Sequence, residues 1–395
     1  MDFLKGTKVV DLTSAIAGAY GTMLLADLGA EVIKIEPPGG EHYRYIWEGA
    51  QFIANNNNKR GMALDLKTPE GQEIVRKLLK TADVFTENFV PGTVNKFELS
   101  YEQVSQINPR VIYCSMSGFG QSGPYSQRPS YDPLAQAMAG IMIATGEPEG
   151  KPVRQVTSMI DQSTAMYAVI GILACLHNRQ KTGRGQRIDT CLLDAGIAAM
   201  SHYFIYNSFT GKLPQRTGSG IGAQVPYQAF ETKDTPIWVG VSIDKFWVAF
   251  CKGLNLRELA NDPRYATIEG RVKNRAELVG KISEVFRNMG TREIEEKLVA
   301  AGVPCGRLLN VGEVSADPQV KHRRLIEEMD YPGIGRIKTV KTPIIVDGEL
   351  PETKRRAPLL GEHTIEVLKE IGYTDSQIDE LIKKGVVVQY KGGRQ

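Results

Sequence analysis

Cysteine is scarce in this chain of 395 residues: five in all, an odd number, widely spaced and without a C-x-x-C pair. That excludes a disulfide framework and suits reduced, mostly buried thiols in a cytoplasmic protein. Histidine is equally sparse. His42, His177, His202, His322 and His363 stand too far apart for metal-ligand spacing, so no metal site is expected. Neither sign of charge is in excess, since 48 basic against 45 acidic side chains leave +3. Nucleic acid is therefore not an expected partner, and the basic clusters 321–324 and 354–356 read as solvated surface. No charged-then-apolar leader and no uninterrupted apolar run of about 18 residues occurs, which argues against secretion and a membrane span. Also missing is a G-x-G-x-x-G after the first predicted strand, where Thr13 to Ala19 contains only Gly18. That absence disfavours a dinucleotide-dependent oxidoreductase.

What is present is a repeated alternation of strand and helix. Thr7 to Leu12, Ala30 to Glu36, Met62 to Leu66, Asp83 to Glu87, Arg110 to Ser115 and Arg187 to Leu192 read as strands. Helices are predicted over Ala17 to Leu28, Thr68 to Lys80, Leu99 to Ile107 and about Asp161 to Arg179. Pro69 falls in a first helical turn, where proline is tolerated. The pattern predicts an α/β fold, a doubly wound large domain. A further apolar helix, Ala195 to Ser208, precedes the glycines 211, 218, 220 and 222, which predict a mobile connection. Beyond Pro226 a strand at Ile237 to Ser242 and helices at Asp244 to Leu254, Arg271 to Met289 and Thr291 to Ala301 predict a smaller α+β domain. The expected domains are thus 1–209, a linker 210–225, the small domain 226–330, and a return segment 331–395 that completes the large one. Lys391 to Gln395 reads as a disordered tail.

Asp161 is the only normally charged side chain between Met159 and Leu176. An acid heading an apolar helix is either an N-cap or a nucleophile. Unpaired NH groups and the positive end of the helix dipole would favour its charged form in both roles.

The order of several short motifs resembles the class III CoA transferases over nearly the whole chain. They are Asp11 to Thr13 with Ala17-Gly18, Leu28 to Glu36, Leu64 to Gly71, Glu87 to Gly92, Asn108 to Ile112, Tyr131-Asp132 followed by Gln136, and Lys181 to Gln186. The resemblance implies a Rossmann-like CoA-binding domain and a homodimer of interlocked rings. It implies that Asp161 is a nucleophile that forms a mixed anhydride and then an aspartyl-CoA thioester, with CoA as substrate and no tightly bound cofactor. Acyl-CoA, with succinyl-CoA as the donor suggested by the family, and a free carboxylic acid are the implied partners. Ala17, Leu64, Lys67, Asn88, Phe89 and Lys96 match CoA-contacting positions, Lys96 standing where an arginine is common. Tyr131 and Asp132 match a substrate-side Tyr-Glu pair with the acid one carbon shorter. Ile16 replaces a glutamine found near the acid in the oxalate-using members, which tells against oxalate. Gly220 and Gly222 match a glycine loop that covers the nucleophile. Ordinary structural roles compete at each position: surface lysine, turn residue, packed aromatic or linker. Two other functions stay open, a racemase of the α-methylacyl-CoA type and a non-catalytic acyl-CoA binder. Tyr131 disfavours the racemase, because a phenol is poorly matched to α-proton transfer at neutral pH.

Overall fold

The computed structural model describes residues 1–390, so the tail expected at Lys391 to Gln395 lies outside the described residues. Six parallel strands form the main sheet: β1 (Lys8–Asp11), β2 (Glu31–Glu36), β3 (Arg60–Leu64), β4 (Val84–Glu87), β5 (Ile112–Ser117) and β6 (Arg187–Cys191). Their order is β3-β2-β1-β4-β5-β6, and Val387–Val388 pairs antiparallel on the β3 edge. Neighbouring residues in these strands enter different cores. Val10, Ile33, Phe85 and Tyr113 pack with Ile74, Leu78, Val367 and Ile378, whereas Val9, Val32, Val84 and Ile112 pack with Leu25, Ala168 and Ile172. A period of two with apolar residues at both phases thus fills both faces of the sheet, as parallel strands require. The chain reverses its direction of growth between β1 and β4. In open α/β sheets such a switch point opens a crevice at the carboxyl ends of the strands.

Local chemistry sets the helix ends. Thr68 accepts a hydrogen bond from the Gly71 NH and Pro69 opens the helix Pro69–Leu79, as expected. The next helix starts at Tyr101 instead of Leu99, because Ser100 and Gln103 close a capping box. The long helix runs from Met159 to Thr182 and ends at Gly183, whose φ of 70° only glycine adopts readily. By length and mean hydropathy alone it could cross a membrane, although Asp161 to Thr164 interrupt its apolar run, and 33% of its apolar window is buried. One side of it, with Ala165, Ala168 and Val169, packs in the protein core, whereas Met166, Tyr167 and Ile170 are exposed.

Two compact units result. One comprises Met1–Gly140, Gln155–Ser201 and the chain from Pro318 on; the other comprises Ile141–Arg154 and His202–Asp317. These ranges depart from the expected boundaries at 209, 225 and 330. The helix predicted over Ala195 to Ser208 is two, Leu192–Ala199 and Ser201–Thr210, and the break falls at the unit boundary. Residues 141–154 join the second unit because Arg216 donates to the carbonyls of Ile143 and Glu147, and the Gly218 NH to that of Gly146. The return begins before 331, since Ile326–Tyr331 pairs antiparallel with Gly335–Val340.

The second unit has the expected α+β character. Strands Tyr227–Phe230, Ile237–Gly240 and Cys305–Arg307 form an antiparallel sheet. Its core holds Trp247, Phe250 and Phe286. The helix predicted over Arg271 to Met289 divides at Asn274 into Ile268–Lys273 and Arg275–Arg287. The segment expected to be a mobile connection is pinned within this unit. Arg275 donates to the carbonyls of Ile221, Gly222 and Gln224, and the Trp238 indole NH to that of Ser219.

Candidate active site

The end of β1 lays the floor of the crevice. Asp11 is fully buried and accepts hydrogen bonds from Thr13, Thr22, Thr86 and the Lys59 ammonium. Burial alone would raise its pKa, but Lys59, Lys34 and the two nearest threonine hydroxyls hold it below the ordinary value. Lys34, also fully buried, donates to the Thr13 carbonyl and pairs with Glu41 at 3.2 Å. Glu41 in turn accepts from the NH of Ala15, whose φ of 62° places it in the left-handed region. This carboxylate helps to hold a strained turn immediately before Ile16 and Ala17. Across the switch point, Asn88 fastens the same turn twice: its side-chain oxygen accepts from the Ser14 NH and its amide donates to the Ser14 carbonyl.

Asp161 stands in a different setting from the one its sequence suggested. It is the third residue of the helix Met159–Thr182, not its cap, and the N-cap residue Ser158 makes no side-chain cap bond. The cap comes from Asp132, whose Oδ2 accepts from the NH groups of Ile160 (2.9 Å) and Asp161 (3.2 Å). Asp132 is 2% exposed and its Oδ1 accepts from Gln136 at 2.5 Å. Gln136 also accepts from the NH of Gln155, upstream of the helix. The helix-end NH groups are therefore engaged by Asp132. Among the described residues the partly buried Asp161 carboxylate has no hydrogen bond. Burial, and then the charge of Asp132, push its pKa up to about 7, so the helix end does not favour its charged form as expected.

Tyr43 joins the same neighbourhood from the turn His42–Arg44. Burial raises its pKa, and the charge of Asp161, with Tyr131 and Glu41, raises it further, so the phenol remains a donor at neutral pH.

The structure divides the remaining expected residues. Tyr131 is 66% exposed although its neighbour Asp132 is buried, so only the tyrosine presents its side chain freely. Ile16 and Ala17 are buried at the start of the helix Ala17–Asp27. Leu64 is in the hydrophobic core, so a ligand at this position would meet its backbone. Lys67 and Lys96 are exposed; Phe89 packs against Phe97. A Cβ at Gly220 would lie 2.6 Å from the Tyr227 carbonyl oxygen, whereas Gly222 has open space. Tyr43, Glu41 and the function of Gln136 escaped the sequence reading. For Gln136 a signal existed, since its spacing of four from Asp132 places both on one helix face.

Comparison with known proteins identifies the family. Relatives include the succinyl-CoA:glutarate CoA-transferase of Homo sapiens, 41% identical over 98% of this chain and 90% of that protein. The succinate--glutarate CoA-transferase of Agrobacterium fabrum is 35% identical over 93% of this chain and 95% of its own length. Among solved structures, a CAIB/BAIF family protein from Brucella suis superposes with a TM-score of 0.84 at 37% identity, covering 93% of this chain and 99% of that one. The sequence profile described as CoA-transferase family III matches residues 4–364. The chain therefore belongs to CoA-transferase family III and is an enzyme that transfers CoA between an acyl-CoA and a carboxylic acid.

Proposed function

We propose that this enzyme carries CoA from succinyl-CoA to a short dicarboxylic acid, with glutarate the leading acceptor, and that Asp161 is its nucleophile. The carrying observation is Asp161 itself: a partly buried carboxyl without a hydrogen-bond partner among the described residues, with a pKa near 7. Such a group is substantially ionised at neutral pH and its lone pairs are uncommitted. An Asp161 oxygen attacks the thioester carbonyl; a C–O bond forms, the C–S bond breaks, and the electron pair leaves on sulfur as CoA thiolate. The thiolate attacks the aspartyl carbonyl of the anhydride, which frees succinate and leaves the aspartyl-CoA thioester. The acceptor carboxylate then displaces CoA from Asp161. Attack of that thiolate on the acceptor's acyl carbon regenerates Asp161 and yields the new acyl-CoA. Every step balances without an external oxidant or reductant.

The preference for glutarate rests on the two relatives named for it. For CoA we assign the crevice side of a Rossmann-like domain, with Ala17, Lys67, Asn88, Phe89, Lys96 and the backbone of Leu64. By the family resemblance alone the Gly218 to Gly222 loop is a candidate cover for the intermediate; its own unit holds it through Arg275. We also assign a homodimer. Apolar Met166, Tyr167 and Ile170 in one unit and Phe204, Ile205 and Phe209 in the other are exposed on helices, and a second copy would cover them. Five free cysteines suit a reducing, cytoplasmic location.

The test is a panel of acyl-CoAs and acids, with CoA exchange and the mass of the Asp161 peptide as readouts. Succinyl-CoA with glutarate should exchange fastest and leave a CoA adduct on Asp161. Exchange undiminished in Asp161→Ala would falsify the nucleophile, and α-epimerisation without exchange would indicate the racemase.

A further inference from the structure

We propose that Asp132 is a positioning residue that fastens the first turn of the nucleophile's helix and confronts Asp161 with a second negative charge, and that it does not hold the substrate. This rests on Asp161 being the nucleophile. Three observations carry it. Asp132 is 2% exposed beside the open Tyr131, so a substrate reaches one member of the dipeptide and not the other. Both carboxylate oxygens are committed, Oδ2 to the NH groups of Ile160 and Asp161 and Oδ1 to Gln136. Gln136, itself fully buried, accepts from the Gln155 NH and so binds the segment leading into the helix to the same point. A helix without a working side chain at its own N-cap is thus capped by an acid 28 residues earlier in the chain.

The chemical consequence concerns where charge goes. Attack by Asp161 on the thioester moves one negative charge from its carboxylate to the departing sulfur. Repulsion from Asp132 is present before that step and relieved by it. The surroundings do little to offset the repulsion. Of the titratable groups on elements packed against the long helix, Tyr20 and Asp27 come from Ala17–Asp27, Asp194 from Leu192–Ala199, Tyr113 and Cys114 from β5, and Arg187, Asp189 and Cys191 from β6. Among all of these and Tyr43, Tyr131 and Glu41, Asp132 is the charged neighbour that raises the Asp161 pKa, and Asp161 in turn raises that of Tyr43.

The experiment compares the full-length protein with Asp132→Asn and Gln136→Leu, measuring kcat and KM for CoA exchange across pH 5 to 9 and the CoA adduct on Asp161. Asp132→Asn retains an oxygen for the helix NH groups and removes the charge. Its acid limb should move down by about one pH unit. In the same variant kcat at pH 8 should fall about tenfold, with KM for both substrates within about twofold. Gln136→Leu keeps both acids and should lower kcat with the limb unmoved. A tenfold rise in KM for the acid with an unmoved limb in Asp132→Asn overturns the proposal and leaves Asp161 the nucleophile, which the adduct still reports. A limb that moves equally in Gln136→Leu ascribes the shift to a disturbed helix and also overturns it. If the wild-type protein forms no adduct while it exchanges CoA, the underlying nucleophile reading falls instead.

Discussion

Asp11 and Asp161 are aspartates of the same compact unit, and although burial raises the pKa of both, their net shifts are opposite in sign. Asp11 is the more deeply buried, yet its pKa is lowered, because Lys59, Lys34 and threonine hydroxyls surround it. Asp161 is less buried, yet its pKa rises to about 7, because burial disfavours its charge and its charged neighbour is another acid that adds to the rise. Desolvation opposes charge at both sites. The partners decide the outcome, and they separate a carboxylate that holds structure from one available for chemistry.

The largest effect expected from this contrast is on turnover. Asp161→Ala should lower CoA exchange on the order of a thousandfold or more, with the fold intact by circular dichroism. Removing a partner under the switch point should instead be a stability event. Lys59→Met leaves Asp11 buried without its ion-pair partner, held only by threonine hydroxyls and the charge of Lys34, and denaturant unfolding should show a loss of about 3–5 kcal/mol. Much of that loss should return in the double variant with Asp11→Asn, and a Lys59→Met protein as stable as wild type would break the contrast.

The next effect is opposite in sign. The folded Asp161 carboxyl titrates near 7 against an ordinary 3.8. Folding therefore takes up a proton between those limits, and the stability present below pH 4 declines until about pH 7. Asp161→Asn should accordingly raise Tm by about 2–4 °C at pH 8 and leave it unchanged at pH 3.5, where thermal melts at both pH values decide. The smallest effect concerns the neutral staple beside the charges. Asn88→Ala loses both bonds to Ser14 and should cost about 1–2 kcal/mol in the same unfolding assay. A loss equal to that of Lys59→Met would mean that charge pairing is not what distinguishes the floor.

Much of the sheet was legible because its signal is local. In β1, β2, β4 and β5 apolar residues at both phases mark strands covered on both faces, and Pro69 marks a helix start within one turn. The edge strand Val387–Val388 was not legible, since two residues carry no periodicity and pairing with β3 supplies their order. The same limit hid the site's electrostatics. Asp161 was visible as a lone acid in an apolar stretch, but the acid that caps its helix arrives from Asp132, and no local pattern announces a bond over that separation. Tyr43 is part of a three-residue turn, too short to read, and its meeting with Asp161 depends on the tertiary path. The loop at Gly218 to Gly222 misled for a related reason. Glycine content reads as freedom, whereas the donors that restrain the loop lie at Trp238 and Arg275.

Adjacent in the chain, Tyr131 and Asp132 face different worlds, one the solvent and the other the interior. This separation gives the protein an editable position next to an intolerant one. Libraries at Tyr131 would vary an exposed side chain against a constant scaffold, whereas the same mutational load one residue later would fall on the bonds that Asp132 makes to the long helix.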